Sequence, residues 1–284
     1  MNGVLLINKP KGITSRDVVN KVSKILNIKK VGHSGTLDPM ATGVLVLGIG
    51  KTTKIMDLLT SLNKEYIAEV TLGIETDTLD ITGSVINEKK FDIKKEDIIT
   101  VLKDFTGEYN MEVPIYSAIK VKGKKLYEYA RNGKNVDLPI KKVNVYNLEL
   151  ISDLVDNKFK IKCKVSKGTY IRSLIRDIGR KLGTYATMSE LERAMQGDFN
   201  IEDCFSIEDI EKGEYKLLSV KEVLNIPKIK VTEKLLFKIK NGAIIEKFFD
   251  ENKALILDNN DNEVAIYQTY EKDNTKAKPY KMLK

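Results

Sequence analysis

The chain has 284 residues, 42% hydrophobic and 31% charged, which supplies enough apolar material for a packed core and excludes disordered, collagenous and low-complexity classes. Its 48 Lys+Arg against 40 Asp+Glu give a formal net charge of +8, which favours a polyanionic partner, with ordinary solubilising charge as the bland alternative. Two separated cysteines, Cys163 and Cys204, and a single histidine, His33, argue against a disulfide framework or a Cys/His metal site.

In chain order, residues 3–7 (GVLLI) read as a buried strand ending at Lys9-Pro10, where proline stops the ladder. The same run is too short for a signal-peptide core, and no later run approaches the ~20 residues of a membrane span, so a soluble cytoplasmic protein is expected. Thr14-Ser15 open a helix with Asp17 in its first turn and an apolar stripe through Val18, Val19, Val22, Ile25 and Leu26. Residues 31–42 carry two glycines and a proline and read as a loop, followed by a strand over 43–50 and a helix facing inward through Ile55, Leu58, Leu59 and Leu62.

Residues 64–73 alternate, with Tyr66, Ala68, Val70 and Leu72 on one face. A helix is expected near 94–105, then an extended piece and a basic stretch over 112–135. Residues 158–165 alternate strictly, with Phe159, Ile161, Cys163 and Val165 inward and four lysines outward. A turn at SKGTY leads into a helix through Leu174, Ile175, Ile178 and Leu182, closed by Gly183. After a break near Pro227, the tail holds a helix over 232–241 and strands near 253–257 and 263–268, joined by a tight DNNDN turn. Alternating strands interleaved with amphipathic helices give an α+β body with a small, mainly β appendix.

Two motifs fail on inspection. GIGKTT (48–53) lacks the glycine five residues before Gly50 that a phosphate loop requires, and Thr53 stands where a dinucleotide fingerprint needs its third glycine. Asp258, Asn260 and Asn262 have calcium-loop spacing, but Glu263 and Thr269 occupy the positions that need Gly and Glu.

The densest chemistry lies around His33 and Asp38. Gly32, Gly35 and Gly43 allow tight turns or close approach, and Pro39 biases Asp38 away from helix. By spacing alone, Asp38 suits a nucleophile, a base or a carboxylate that caps its own turn, and His33 suits a structural role as well as a functional one.

GHSGTLDPMATG (32–43) resembles the signature of the TruB family of tRNA pseudouridine synthases. The likeness continues in order through GVLLINKPKGITSRDVV (3–19), KEYIAEVTLGIETDTLDITG (64–83), VPIYSAIKVKGKKLYEYARNG (113–133) and VSKGTYIRSLIRDIG (165–179), and more loosely into the tail. Two segments depart from it, MEVP before the insertion and LERAMQGDF over 191–199.

The resemblance implies a pseudouridine synthase fold, with a central mixed or antiparallel sheet flanked by helices over residues 1–225 and an RNA-gripping insertion at about 113–140. A PUA-like RNA-binding domain is implied over 229–284. The implied activity is isomerisation of uridine to pseudouridine at position 55 in the tRNA T-loop, by base flipping and without cofactor or metal. Asp38, Tyr66 and Arg172 map onto the family's catalytic positions, although core packing alone would also explain Tyr66 and solvation Arg172. An arginine beside a carboxylate favours its ionised, oriented form.

His33 matches the histidine that enters the T-loop, Tyr170 is expected to line the pocket, and Lys9-Pro10 to support the active-site loop. Lys9, Lys120 and Lys124 are taken as substrate contacts. Lys120, Lys122, Lys124, Lys125 and Arg131, interleaved with Tyr127 and Tyr129, suit the T-arm backbone, against the alternative of a solvated helix. Lys276, Lys278 and Lys281 suit the acceptor stem, so removing 230–284 is expected to weaken tRNA affinity more than chemistry. A monomer without an obligatory protein partner is expected. The rivals are a non-catalytic RNA-binding or tRNA-folding protein and a related synthase acting on another RNA.

Overall fold

The computed structural model describes residues 1–283. Its main sheet has the strand order Gly3–Lys9, Thr42–Ile49, Ala186–Gln196, Lys64–Leu72, Lys158–Val165, Ile140–Leu150, Gly107–Glu112. Every neighbouring pair along this path is antiparallel except Thr42–Ile49 with Ala186–Gln196, so the sheet is mixed.

The first two strands are apolar on both faces because both faces are covered. Val4, Leu6, Val44 and Val46 face one core, while Leu5, Ile7, Leu45 and Leu47 face another beneath the helix Ser15–Ile25. Thr14 closes that helix with a capping box: its hydroxyl accepts from the Asp17 amide and the Asp17 carboxylate accepts from the Thr14 amide. Lys64–Leu72 and Lys158–Val165 are covered on one face only. Tyr66, Ala68, Val70, Phe159, Ile161 and Cys163 pack there under the helices Lys95–Asp104 and Ile171–Lys181. On the open face Lys158 pairs with Glu69 and Lys162 with Glu65, both at 2.9 Å.

Residues 228–282 form a second, five-stranded sheet with the helix Glu233–Lys240 against it. This unit is not tethered loosely. Leu255, Leu257, Ile266 and Leu283 share one core with Val4, Leu6, Val44, Val46 and Ile55. Around it Lys281 pairs with Asp57 at 3.0 Å, Tyr280 donates to Asp57 at 2.5 Å, and Lys54 donates to the Met282 carbonyl at 2.5 Å.

One expectation is corrected, and segments left without an element take definite form. Residues 31–42 are not all loop, because Val31–His33 pairs antiparallel with Leu47–Ile49. The basic stretch is a tight hairpin, Lys120–Val121 with Lys124–Lys125, before the short helix Leu126–Arg131. The departing segment 191–199 supplies half of the central strand Ala186–Gln196. The DNNDN turn forms as read, with Asp258 accepting from the amides of Asn260 and Asn262. Among the described residues no helix is long and apolar enough to cross a membrane.

Candidate active site

Asp38 stands in the loop between the strands Val31–His33 and Thr42–Ile49, and that loop is braced from three sides. The Ser15 hydroxyl accepts from the Leu37 amide at 2.9 Å and donates to its carbonyl at 3.1 Å. The Asp38 carbonyl accepts from the Ala41 amide, and the Pro39 carbonyl from the Gly12 amide. Gly43 closes the loop at φ +100°, where an added Cβ would lie 2.3 Å from the Arg193 carbonyl oxygen, so the parallel pairing of the two strands requires glycine there.

Arg172, in the first turn of Ile171–Lys181, reaches this loop from across the cavity. Its Nε lies 3.0 Å from Asp38 Oδ2 and its Nη2 donates to Oδ1 at 3.4 Å. Nη1 donates to the Thr78 carbonyl at 2.9 Å and Nη2 to the Tyr116 carbonyl at 3.1 Å. A second carboxylate, Asp80, sits 3.9 Å from Nη1 and accepts from Thr78 Oγ1, from the Thr82 amide and from its hydroxyl. The guanidinium side chain is 6% exposed and that of Asp38 36%, so the carboxylate faces the opening while the cation that orients it is enclosed.

These groups border a cavity of about 630 Å³ whose lining includes Asp38, Tyr66, Tyr116, Tyr170, Arg172 and Arg193. Tyr66, Tyr170 and Arg172 thus line one cavity with Asp38, and of the three, Arg172 bonds to its carboxylate. Burial raises the Tyr170 hydroxyl above its usual value and keeps it protonated. The other expected residues lie elsewhere. His33 is on the strand leading into the Asp38 loop, outside the lining. Lys120 and Lys124 are exposed on the insertion hairpin. Lys9 supports the active-site loop as the resemblance implied, and is corrected only as a substrate contact: it is fully buried, and its ammonium donates to the carbonyls of Pro10 and Ile13 at 2.8 Å and of Pro39 at 3.3 Å. Three backbone bonds use all its donors, so it braces the Asp38 loop rather than contacting a ligand. Burial pushes it down to about 8.

Sequence reading missed Arg193, Lys64 and Asp80. Arg193 is 1% exposed and donates to the carbonyls of Val44 at 2.6 Å and Gly35 at 3.2 Å. Register shifts at Met188/Glu190 and Arg193/Met195 break the alternation of its strand, which hides the strand in the sequence. Lys64 lines the cavity, and its ammonium is pushed down to about 8, chiefly by burial and then by Arg193 and Lys167. Its burial is foreshadowed by its place at i−2 from Tyr66 on an alternating strand.

Residues 23–171 match the N-terminal domain of TruB family pseudouridylate synthases, and residues 172–224 the C-terminal domain of tRNA pseudouridylate synthase B. The chain is 42% identical to tRNA pseudouridine synthase B of Bacillus cereus strain ATCC 14579 over 301 residues, covering 100% of this chain and 97% of the relative. The chain belongs to the TruB family. The Geobacillus thermodenitrificans relative, also a tRNA pseudouridine synthase B, is 43% identical over 86% of each chain. Among solved structures, a Cbf5-Nop10-Gar1 complex superposes with a TM-score of 0.75 at 26% identity, over 99% of this chain and 85% of that one. An H/ACA RNP bound to a substrate RNA containing 2′-deoxyuridine gives 0.73 at 25%, with the same coverage. The pseudouridine synthase fold and the β-rich C-terminal unit expected for a TruB chain are present.

His33 offers a pH test in a chain with no other histidine. Burial lowers it from its usual 6.5, with Arg193 and Arg16 adding repulsion. Below pH 6.5 the unfolded chain therefore binds a proton that the folded chain refuses, and stability falls as the pH drops. Urea unfolding of wild type and His33→Gln at pH 7 and 5.5 checks this. The wild type is expected to lose more stability on acidification; equal losses would refute the assignment.

Proposed function

We propose that this TruB-family chain isomerises uridine to pseudouridine in tRNA, at position 55 of the T-loop, with Asp38 as the catalytic carboxylate. The observation that carries the reading is the two-contact pairing of Arg172 with Asp38 at 3.0 and 3.4 Å, inside a cavity also lined by Tyr66.

The reaction breaks the N1–C1′ bond, turns the uracil, and forms the C5–C1′ bond; the C5 proton is lost and N1 gains one. It is redox-neutral and consumes no co-reactant. Asp38 supplies the carboxylate for glycosidic cleavage, and the enclosed guanidinium keeps it aimed. Tyr66 stacks on the turned-out uracil, and Tyr170 stays protonated beside it. Extrusion of a stacked base costs a few kcal/mol. The neutral His33 ring suits the vacated stack better than a cation, because it must lie between bases.

Lys120 and Lys124 face solvent on the insertion hairpin, available to T-arm phosphates. The unit over 229–284 acts as a PUA-like module on the acceptor stem. There Lys276 pairs with nearby Asp273 and Lys278 with Glu271 and the Tyr270 ring, contacts that phosphate can displace, whereas Lys281 ties the unit to Asp57. We take the protein to act as a cytoplasmic monomer.

Release of tritium from C5-labelled uridine in a bare T-arm hairpin tests the activity, and Arg172→Lys tests the centre. A lysine keeps the charge but cannot serve Asp38 and the carbonyls of Thr78 and Tyr116 together. Turnover is expected to fall about 10²-fold with tRNA affinity held. Unchanged kcat would remove Arg172 from the centre, and no release by wild type on full-length tRNA would overturn the activity.

A further inference from the structure

The insertion leaves the main sheet at Glu112 and returns at Ile140, and these two residues are paired across the neighbouring strands. The Val113 amide donates to the Pro139 carbonyl at 3.0 Å and closes its base. Both halves of Glu112 are held by the helix that carries Arg172. Its carboxylate accepts from Arg176 Nη1 at 2.8 Å, and its carbonyl accepts from the Ser173 hydroxyl, also at 2.8 Å. Arg176 lies one turn after Arg172, on the same side of the helix, and is 5% exposed. Its Nε donates to Asp177 at 2.8 Å, and the same carboxylate accepts from Tyr109 on the strand that ends at Glu112. Within the insertion, the Tyr116 carbonyl accepts from Arg172 itself. The base of the insertion, its first loop and the guanidinium that holds Asp38 therefore form one hydrogen-bonded unit.

We infer that Glu112 and Arg176 are positioning residues that couple the seating of insertion 113–139 on RNA to the alignment of Arg172 with Asp38. The inference rests on the function proposed above. A charge-assisted pair at the root of a lever transmits displacement, because a buried guanidinium cannot drift from its carboxylates without a desolvation cost. Arg172 has no slack of its own, since Thr78 and Tyr116 use the donors that Asp38 does not. An insertion lifted off the body withdraws the Tyr116 carbonyl and strains the first turn of the helix. An insertion pressed down restores both.

The test compares wild type, Glu112→Gln and Arg176→Lys. Glu112→Gln folds, because Arg176 keeps Asp177 and the Glu112 backbone contact to Ser173 survives. Single-turnover isomerisation is expected to slow about tenfold in Glu112→Gln and less in Arg176→Lys, which keeps a charge on Glu112, with tRNA Kd within about twofold. Hydrogen exchange with and without tRNA gives a readout independent of turnover. In wild type, tRNA slows exchange both in 113–135 and in the first turn of Ile171–Lys181. In Glu112→Gln only the insertion responds. Three results would overturn the coupling: weakened tRNA binding at an unchanged rate, helix protection that persists in Glu112→Gln, or a rate loss that tracks a lowered Tm and recovers on cooling. A wild type without isomerase activity sinks the proposed function, while the exchange comparison still decides the coupling.

Discussion

Asp38→Asn is expected to reduce turnover by roughly 10⁴-fold or more while tRNA affinity stays within about threefold. The substitution is isosteric and the loop does not depend on the carboxylate. Ser15 holds Leu37, Lys9 and Gly12 hold the Pro39 carbonyl, and the Asp38 main chain makes its own turn to Ala41. What is lost is the anion. An amide neither attacks nor accepts a proton at neutral pH, and it pairs with Arg172 more weakly. The guanidinium, almost enclosed, still has the carbonyls of Thr78 and Tyr116 and the Asp80 carboxylate, so the fold loses about 1–3 kcal/mol at most. Affinity survives because phosphate contacts spread over the basic surface dominate binding. Tritium release and filter binding on the same preparation separate the two. A parallel loss of binding and turnover would recast Asp38 as structural, and near-normal turnover would move the chemistry elsewhere.

Removal of residues 230–284 is expected to unfold the catalytic body rather than merely to weaken affinity. This replaces the expectation drawn from the sequence, because the C-terminal sheet completes a core that begins at Val4. Leu255 and Ile266 are fully buried and belong to the same apolar core as Leu6, Val44, Val46 and Ile55. Stripping their part of that core from four aliphatic side chains costs about 6 kcal/mol or more, which is comparable with the whole ~5–15 kcal/mol of a domain's stability. The Asp57 contacts to Tyr280 and Lys281 go with it. The truncated chain is expected to be insoluble or to lose its cooperative urea transition. Ile266→Ala, with a cost of about 2–5 kcal/mol, gives the graded version in a chain that still folds. A soluble 1–229 fragment with wild-type Tm and kcat would show that the two units are independent.

The chain's own pattern announces much of this protein. Strict alternation over 158–165 and 64–72, the helix opened at Thr14-Ser15 and the DNNDN turn are local devices, and each formed within a residue or two of its expected bounds. The motif around Asp38 announced the residue and the glycines that bend its loop, because close approach of backbone leaves a compositional mark. Three things depended on the folded chain alone. The central strand Ala186–Gln196 was hidden, because two register shifts spoil its period and Arg193 lies inward where a strand pattern calls for an apolar residue. The resemblance implied that Lys9 supports the loop, but its full burial against three carbonyls, which rules out a substrate contact, came only with the fold. The pairing of Arg172 with Asp38 across 134 residues was implied only through the resemblance, and the core that Leu255 and Ile266 share with Leu6 joins opposite ends of the chain. Local chemistry writes itself into neighbouring residues; a contact between distant segments leaves no period to read, and it exists only once the sheet has brought them together.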